Sequence, residues 1–385
     1  MKTLFLICRI LFLLVAIAVF GLALGTMVGA VPFFGSIGGY IVLGWYRVFI
    51  PAVTAVFLAI LILFFVKHKV LNLISAVFLV AAIVISCVCL SSVIMTFGEA
   101  GADVDVLKSY SAKTDECVKV DTHVYAAGAD GDVTLDVYYT DGAADRPIIV
   151  YVHGGGWISG SKADHVYYSR IYAREGYVAV NVDYDLSTAD RHLSATCEAQ
   201  ICQALAWLKT HAANYGGNPD KLYLTGDSAG GNLALDVAYK INDGVYATAT
   251  DVTLPKIAAV AVTYPVADPA MFWANEDMVL GRYAKNMCES YTGTTPAEDM
   301  AAYDAITPGK YINAFTPPTM IIVGKADTMV QPEMSYALYD SLQAKGIDSR
   351  LVALPYLNHG FDGLDGSVGS QGVLSLTLQW FAQHQ

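Results

Sequence analysis

The chain has 385 residues, long enough for one large domain with an appendage, and 55% of them are hydrophobic, which excludes a purely soluble enzyme. The formal net charge is −12 at pH 7, and without a basic face to meet phosphate a nucleic-acid partner is excluded. Charge is also unevenly spread: before Glu99 there is no acidic residue and only five basic ones, so the remainder carries 18 basic against 35 acidic residues, a balance of about −17.

Three apolar stretches occupy the first part of the chain, Ile10 to Val31, Val48 to Val66 and Leu71 to Phe97, each near or above the ~20 residues a helix needs to cross hydrocarbon. They predict about three transmembrane helices within residues 1–98, separated by the glycine-rich Pro32 to Gly44 and by the basic turn Lys67-His68-Lys69. Positive loops stay in the cytoplasm, so Lys67 and Lys69 place the third helix running outward and the following domain on the extracytoplasmic side, with Lys2 and Arg9 holding the N-terminus inside. A cleaved signal peptide ending near Val28-Gly29-Ala30 is the competing reading of the first stretch, although its apolar run is long for that role. A transport path is disfavoured, because only Arg47 offers an ionisable group near the stretches; the lipid bilayer is the expected partner and anchoring the expected role.

Residues 99–117 read as a linker, small and acidic from Gly98 to Val106, and 118–385 as the domain. Val118 to Val124 and Val133 to Tyr139 alternate apolar and polar residues around Gly128-Ala129-Asp130-Gly131, the pattern of an antiparallel hairpin. Strand runs then alternate with helical stretches: strands at Ile148 to Val152, Val178 to Val182, Leu222 to Leu224, Ile257 to Val262, Met320 to Val323 and Arg350 to Leu354, helices near 167–175, 195–213, 232–240 and 373–382. Such alternation predicts a mostly parallel sheet flanked by helices. An insertion at about 266–318, rich in Met, Trp, Tyr and Phe, either covers a site or simply packs on the sheet. The seven cysteines include no Cys-x-x-Cys pair, and disulfides among Cys117, Cys197, Cys202 and Cys288 stay open for an exported domain.

Gly226-Asp227-Ser228-Ala229-Gly230 sits between a strand and a helix, the setting of a nucleophile elbow in which a Cβ at either flanking glycine would collide with a neighbouring element. Ser228 is the expected nucleophile. About 70 residues earlier, His153-Gly154-Gly155-Gly156-Trp157 follows a strand directly, a turn able to aim the N–H groups of Gly154 and Gly155, with that of Ala229, at a developing oxyanion. A P-loop reading of Gly155 to Lys162 fails on residue order, since Gly160-Ser161-Lys162 is not G-K-[ST].

Taken together, HGGGW, GDSAGG, a strand-end aspartate and a late His-Gly-Phe resemble the hormone-sensitive-lipase-like branch of the α/β-hydrolase fold, from about Leu135 onward. Val182-Asp183-Tyr184, Tyr215 to Pro219 and Tyr264-Pro265 also look like landmarks of that family. One departure is Asp185-Leu186-Ser187-Thr188-Ala189, where the family usually continues Arg-Leu-x-Pro-Glu. The resemblance implies an α/β-hydrolase fold and the chain order Ser228, Asp327, His359 for nucleophile, orienter and base. His359 follows a strand and precedes the last helix; His153 belongs to the oxyanion turn, His384 is terminal, and His123, His165, His192 and His211 precede the serine. Asp327 follows the Met320 strand through Gly324-Lys325-Ala326, whereas Asp304, Asp362 and Asp365 follow no strand end and read as surface carboxylates.

The expectation is a membrane-anchored serine hydrolase of carboxylic esters, acting through an acyl-enzyme on an uncharged, moderately hydrophobic ester, with no metal or organic cofactor. Acyl transfer or peptide cleavage on the same triad, and a catalytically silent binding ectodomain, are the alternatives.

Overall fold

The computed structural model describes residues 2–29, 31, 33–64, 69–110, 117–142 and 144–385. The chain divides into two units, Met1–Ser111 with Gly324–Thr328 and Leu354–Gly372, and Ala112–Val323 with Met329–Ala353 and Val373–Gln385.

Among its described residues the first unit carries four α-helices, α1 (Lys2–Met27), α2 (Phe34–Val42), α3 (Tyr46–Phe64) and α4 (Lys69–Glu99). Two are long and apolar enough to cross a membrane, Leu6–Met27 of α1 and Lys69–Glu99 of α4, while α2 and the Tyr46–Ile60 part of α3 meet at 96°. The expected glycine-rich separator is therefore mostly helix, and its glycines are what let α2 pack: a Cβ on Gly38 would lie 2.6 Å from the Leu22 carbonyl oxygen of α1. Ala16, Val53, Ile60, Ala76 and Leu79 form the buried contact among α1, α3 and α4. Arg9 is 4% exposed within α1 rather than a flanking charge, and Ala30, Pro32, Lys67 and His68 lie outside the described residues.

The expected linker after α4 is not loose. Phe97 is fully buried against Gly372, where any Cβ would strike its ring, and the Asp105 backbone exchanges two hydrogen bonds with Gln371, N–H to Oε1 at 2.8 Å and Nε2 to O at 3.0 Å. Arg47, just before the Val48 stretch, donates to the Asp365 carbonyl at 2.8 Å and to that of Ser109. This segment belongs with the helices and not with the acidic domain.

The second unit is built on an eight-stranded sheet. β1 (Lys119–Ala127) and β2 (Asp132–Tyr139) form the antiparallel hairpin on its Gly128 to Gly131 turn. The rest alternates, β3 (Arg146–Val152), α5 (Val166–Arg174), β4 (Val178–Val182), α6 (Ser194–His211), β5 (Gly217–Asp227) and α7 (Ser228–Asp243). A small hairpin, β6 (Thr248–Ala249) and β7 (Val252–Thr253), precedes β8 (Ile257–Thr263). The insertion supplies α8 (Pro269–Trp273), α9 (Gly281–Thr292) and α10 (Met300–Asp304), and the chain closes with β9 (Thr319–Gly324), α11 (Pro332–Ala344), β10 (Ser349–Leu354) and α12 (Val368–Gln383). The strand order is β1-β2-β4-β3-β5-β8-β9-β10; β4, β3, β5, β8 and β9 pair in parallel with one another in that order, and β4 is antiparallel to β2. Ile148, Ile149, Val150 and Val152 are all fully buried, as a β-branched run in a parallel sheet covered on both faces must be.

One buried ionic cluster stands beside this sheet. Lys240 of α7 donates to both Glu198 oxygens, at 2.9 and 2.7 Å, and to the Ala305 carbonyl at 2.7 Å. Asp236, also buried, stands 3.8 Å from Lys240 with neither carboxyl oxygen hydrogen-bonded. Burial first, and then the Glu198 carboxylate, pushes its pKa well above the carboxylate range against the pull of Lys240. A group whose pKa rises on folding contributes stability that is whole below its unfolded value, about 3.9, and is lost as pH rises through the folded value. Asp236→Asn, neutral at every pH, is expected to match the parent's Tm at pH 4 and exceed it at pH 8 in calorimetric scans; a difference independent of pH would contradict the assignment.

Candidate active site

Ser228 opens α7 with φ 53°, a left-handed conformation that costs a non-glycine residue of order 1 kcal/mol or more and needs tight surroundings to persist. Those surroundings are the flanking glycines. A Cβ on Gly226 would lie 2.6 Å from the Gly230 carbonyl oxygen and 2.7 Å from that of Val152, and one on Gly230 would run into the carbonyls of Val152 and His153. The helix thus starts pressed against the end of β3, and Ala229, in its first turn, has no intrahelical acceptor for its N–H. Gly230→Ala is expected to lower stability by more than about 2 kcal/mol, because the atoms in its way are backbone and cannot step aside. A Tm equal to the parent's would contradict this packing.

The same packing brings the glycine turn to the elbow. Gly154 lies against the Asp227 carboxylate, which Tyr151 Oη also reaches at 2.5 Å. Two hydrogen bonds orient the turn from behind. Tyr184 Oη donates to the His153 carbonyl at 2.8 Å, and His153 Nδ1 bonds the Gly154 carbonyl at 2.7 Å. A trans peptide holds its N–H opposite its C=O, so these two bonds set the directions of the N–H groups of Gly154 and Gly155. The His153 ring is buried and stacked on Tyr184 at 4.2 Å, and burial lowers its pKa, leaving the neutral ring with its proton on Nδ1. Tyr184→Phe is expected to cut ester turnover roughly tenfold by leaving the His153 carbonyl without its donor. Turnover unchanged in steady-state assays would show that the turn is held otherwise.

In the first unit the structure brings Asp327 and His359 together, Oδ2 to Nδ1 at 2.8 Å, with the Asp327 carboxylate fully buried and the imidazole 15% exposed. The two turns are zipped edge to edge: Lys325 N–H donates to the Leu354 carbonyl at 2.8 Å and Ala326 N–H to that of Leu357 at 3.0 Å. Asn358, buried and not anticipated from sequence, accepts from both Thr328 N–H at 3.0 Å and His359 N–H at 2.8 Å through its Oδ1. Its Nδ2 donates to the Ser36 carbonyl of α2 at 3.1 Å. With Nδ1 given to Asp327, Nε2 is the basic nitrogen of the ring. Ser228 belongs to the second unit and this pair to the first.

Of the competing carboxylates, one departs from expectation. Asp362 is buried rather than a surface carboxylate, Asp365 is exposed, and Asp304 pairs with Lys310 at 3.0 Å. Of the insertion's aromatic and methionine residues, Phe272 and Tyr291 are core, packed edge-on and face-on against the buried Trp157, Met278 and Tyr283 are exposed, and Met287 sits against Gly156. The departing loop is anchored by Asp185, whose carboxylate accepts from Ala129 N–H at 2.8 Å and Gln200 Nε2 at 2.9 Å. Cys117, Cys197, Cys202 and Cys288 are free thiols.

A family model described as BD-FAE matches residues 135–342, more than half of the chain. The chain belongs to the BD-FAE family. Within the match lie the glycine turn, the elbow and Asp327, while His359 falls beyond its end. Among curated relatives, the carboxylesterase NlhH of Mycobacterium tuberculosis is 28% identical over 61% of this chain and 73% of its own length. The probable carboxylic ester hydrolase LipM of the same organism is 26% identical over 60% of this chain, which spans about half of that relative's length (53%). Among solved structures, the propionate-bound esterase Est2 of Thermogutta terrifontis superposes with a TM-score of 0.56 at 26% identity, covering 70% of this chain and 96% of that one. These likenesses and the parallel sheet establish an α/β-hydrolase fold of the carboxylesterase type.

Proposed function

We propose that this BD-FAE member is a membrane-anchored serine carboxylesterase. The observation that carries the reading is the buried Asp327 bonded to His359 Nδ1, because it prepares an imidazole for one task, taking a proton on Nε2 and giving it back. Ser228 Oγ adds to the ester carbonyl as its proton passes to His359, and the N–H groups of Gly154, Gly155 and Ala229 receive the oxyanion. The tetrahedral adduct expels the alcohol, which leaves with the proton from His359; water then repeats the sequence on the acyl-enzyme. Asp327 keeps the ring oriented and stabilises its charged form. The substrate is an uncharged, moderately hydrophobic ester, since the anionic domain repels anions, and the propionate-bound relative supports a short acyl chain. Ser228→Ala and His359→Ala are each expected to abolish turnover of short-chain esters, nearly equally because triad members act as a unit. Near-parental turnover by Ser228→Ala would end the mechanism.

The ends of the helices support the anchor. α1 leads into α2, whose Ser36 meets Asn358, and the last turns of α4 carry Phe97 beside Gly372, so both run toward the same side. We read α3, packed through Val53 and Ile60, as the return crossing between them, for three spans in all. With Lys2 and Lys69 inside, the catalytic domain is extracytoplasmic. Because the segment after α4 is bound in place, an exposed thiol reports this better than a protease: a membrane-impermeant maleimide added to intact cells is expected to label Cys117, which is exposed, and not the Cys117→Ser protein. Labelling only after lysis would put the domain in the cytoplasm.

A further inference from the structure

Arg9 is a charge with no counter-charge in the chain around it. It lies three residues into the Leu6–Met27 span of α1, a rise of about 4.5 Å from the start of that span, and is 4% exposed. An arginine that merely snorkelled to the interface would stand exposed. Among the described residues Arg9 makes no hydrogen bond and no ion pair, yet none of its nitrogens is a sealed, unpartnered atom, so the guanidinium can still be reached. No acidic residue precedes Glu99, which closes the far end of α4, a 31-residue helix about 45 Å long. Lys69, exposed, opens that helix. Phe20 of α1 and Phe78 of α4 lie 5.3 Å apart; Lys69 comes nine residues before Phe78, and Leu11 nine before Phe20. With α1 and α4 running the same way, Arg9 and Lys69 therefore stand at about the same depth.

We propose that Arg9 holds the phosphate of an anionic phospholipid at the membrane face where α1 and α4 begin, with Lys69 adding to the field. The inference goes beyond the esterase reading and rests only on its membrane-anchor part. A buried guanidinium without a partner is costly, and this region supplies no carboxylate, so the counter-anion comes from outside the chain. Leu6, Ile7, Ile10, Leu11 and Leu14 around it are exposed, so an anion seated there gains by bringing apolar chains of its own. The planar fork of arginine fits two phosphate oxygens at once. A headgroup of net negative charge is favoured over a zwitterionic one, because it meets two cations and no acid, whereas phosphatidylcholine already carries its own cation.

The test is native mass spectrometry of the full-length protein in dodecyl maltoside micelles doped with equal amounts of dioleoylphosphatidylglycerol and dioleoylphosphatidylcholine. The parent is expected to retain one phosphatidylglycerol in roughly tenfold preference. Arg9→Gln is expected to lose that preference, and Arg9→Lys, which keeps the charge but not the fork, to keep part of it. The parent's own preference is read without any variant, so a misfolded Arg9→Gln leaves the test intact. Equal retention of the two lipids by the parent would overturn the assignment, and a preference undiminished in folded Arg9→Gln would do so as well. Glycerol 1-phosphate at millimolar concentration is expected not to displace the lipid; displacement would mark a site for soluble phosphates instead and overturn the lipid assignment. Recovery of the protein from cells in detergent-free buffer would refute the anchor itself, and the inference with it, while leaving the esterase chemistry standing.

Discussion

The site depends on one close approach of backbone to backbone. Gly226 and Gly230 allow the start of α7 to lie against the carbonyls at the end of β3, and only that approach holds Ser228 at a positive φ. It also sets where the glycine turn after β3 must go, since the chain leaves Val152 already in contact with the elbow. From this contact the rest follows in order. Tyr184 and His153 aim the peptide planes of the turn, Asp227 lies against Gly154, and Trp157 roots the turn among Tyr291 and Phe272. A strained serine is thus maintained by the core of the sheet and not by its own loop.

The second dependency ties the base to the apolar region. The segments bearing Asp327 and His359 fall in the same compact unit as the N-terminal helices. Asn358 is the pivot, because one amide satisfies the two turns with its oxygen and α2 with its nitrogen. Burying such a side chain is favourable only when its groups are bonded, so the position of α2 and the position of the histidine are one energetic problem.

Much of this was legible in the sequence, for physical reasons that also mark where legibility stopped. The β-branched runs at Ile148 and Val178 and the glycines around Ser228 report local constraints, and the strands, elbow and glycine turn lie where those patterns put them. Asp327 and His359 were found by chain order, and the structure pairs them. What failed depended on partners far away in sequence. Pro32 to Gly44 read as a separator because glycine lowers helix propensity, yet here glycine permits close helix packing. Gly98 to Val106 read as a linker because it is small and acidic, although Asp105 within it is hydrogen-bonded to Gln371. Phe272 and Tyr291 could line a pocket or fill a core, and only their burial decides for the core. The roles of Asn358 and Tyr184 had no local signal, since each acts through hydrogen bonds to residues it does not neighbour.

The central claim is that Ser228 is activated by the Asp327–His359 pair and has no other base. Fluorophosphonate treatment of the full-length protein, followed by peptide mass spectrometry, tests it directly. The account requires a single adduct on Ser228 in the parent and its near-complete loss in His359→Ala with the fold intact. An adduct on another serine, or undiminished labelling of Ser228 without His359, would contradict it.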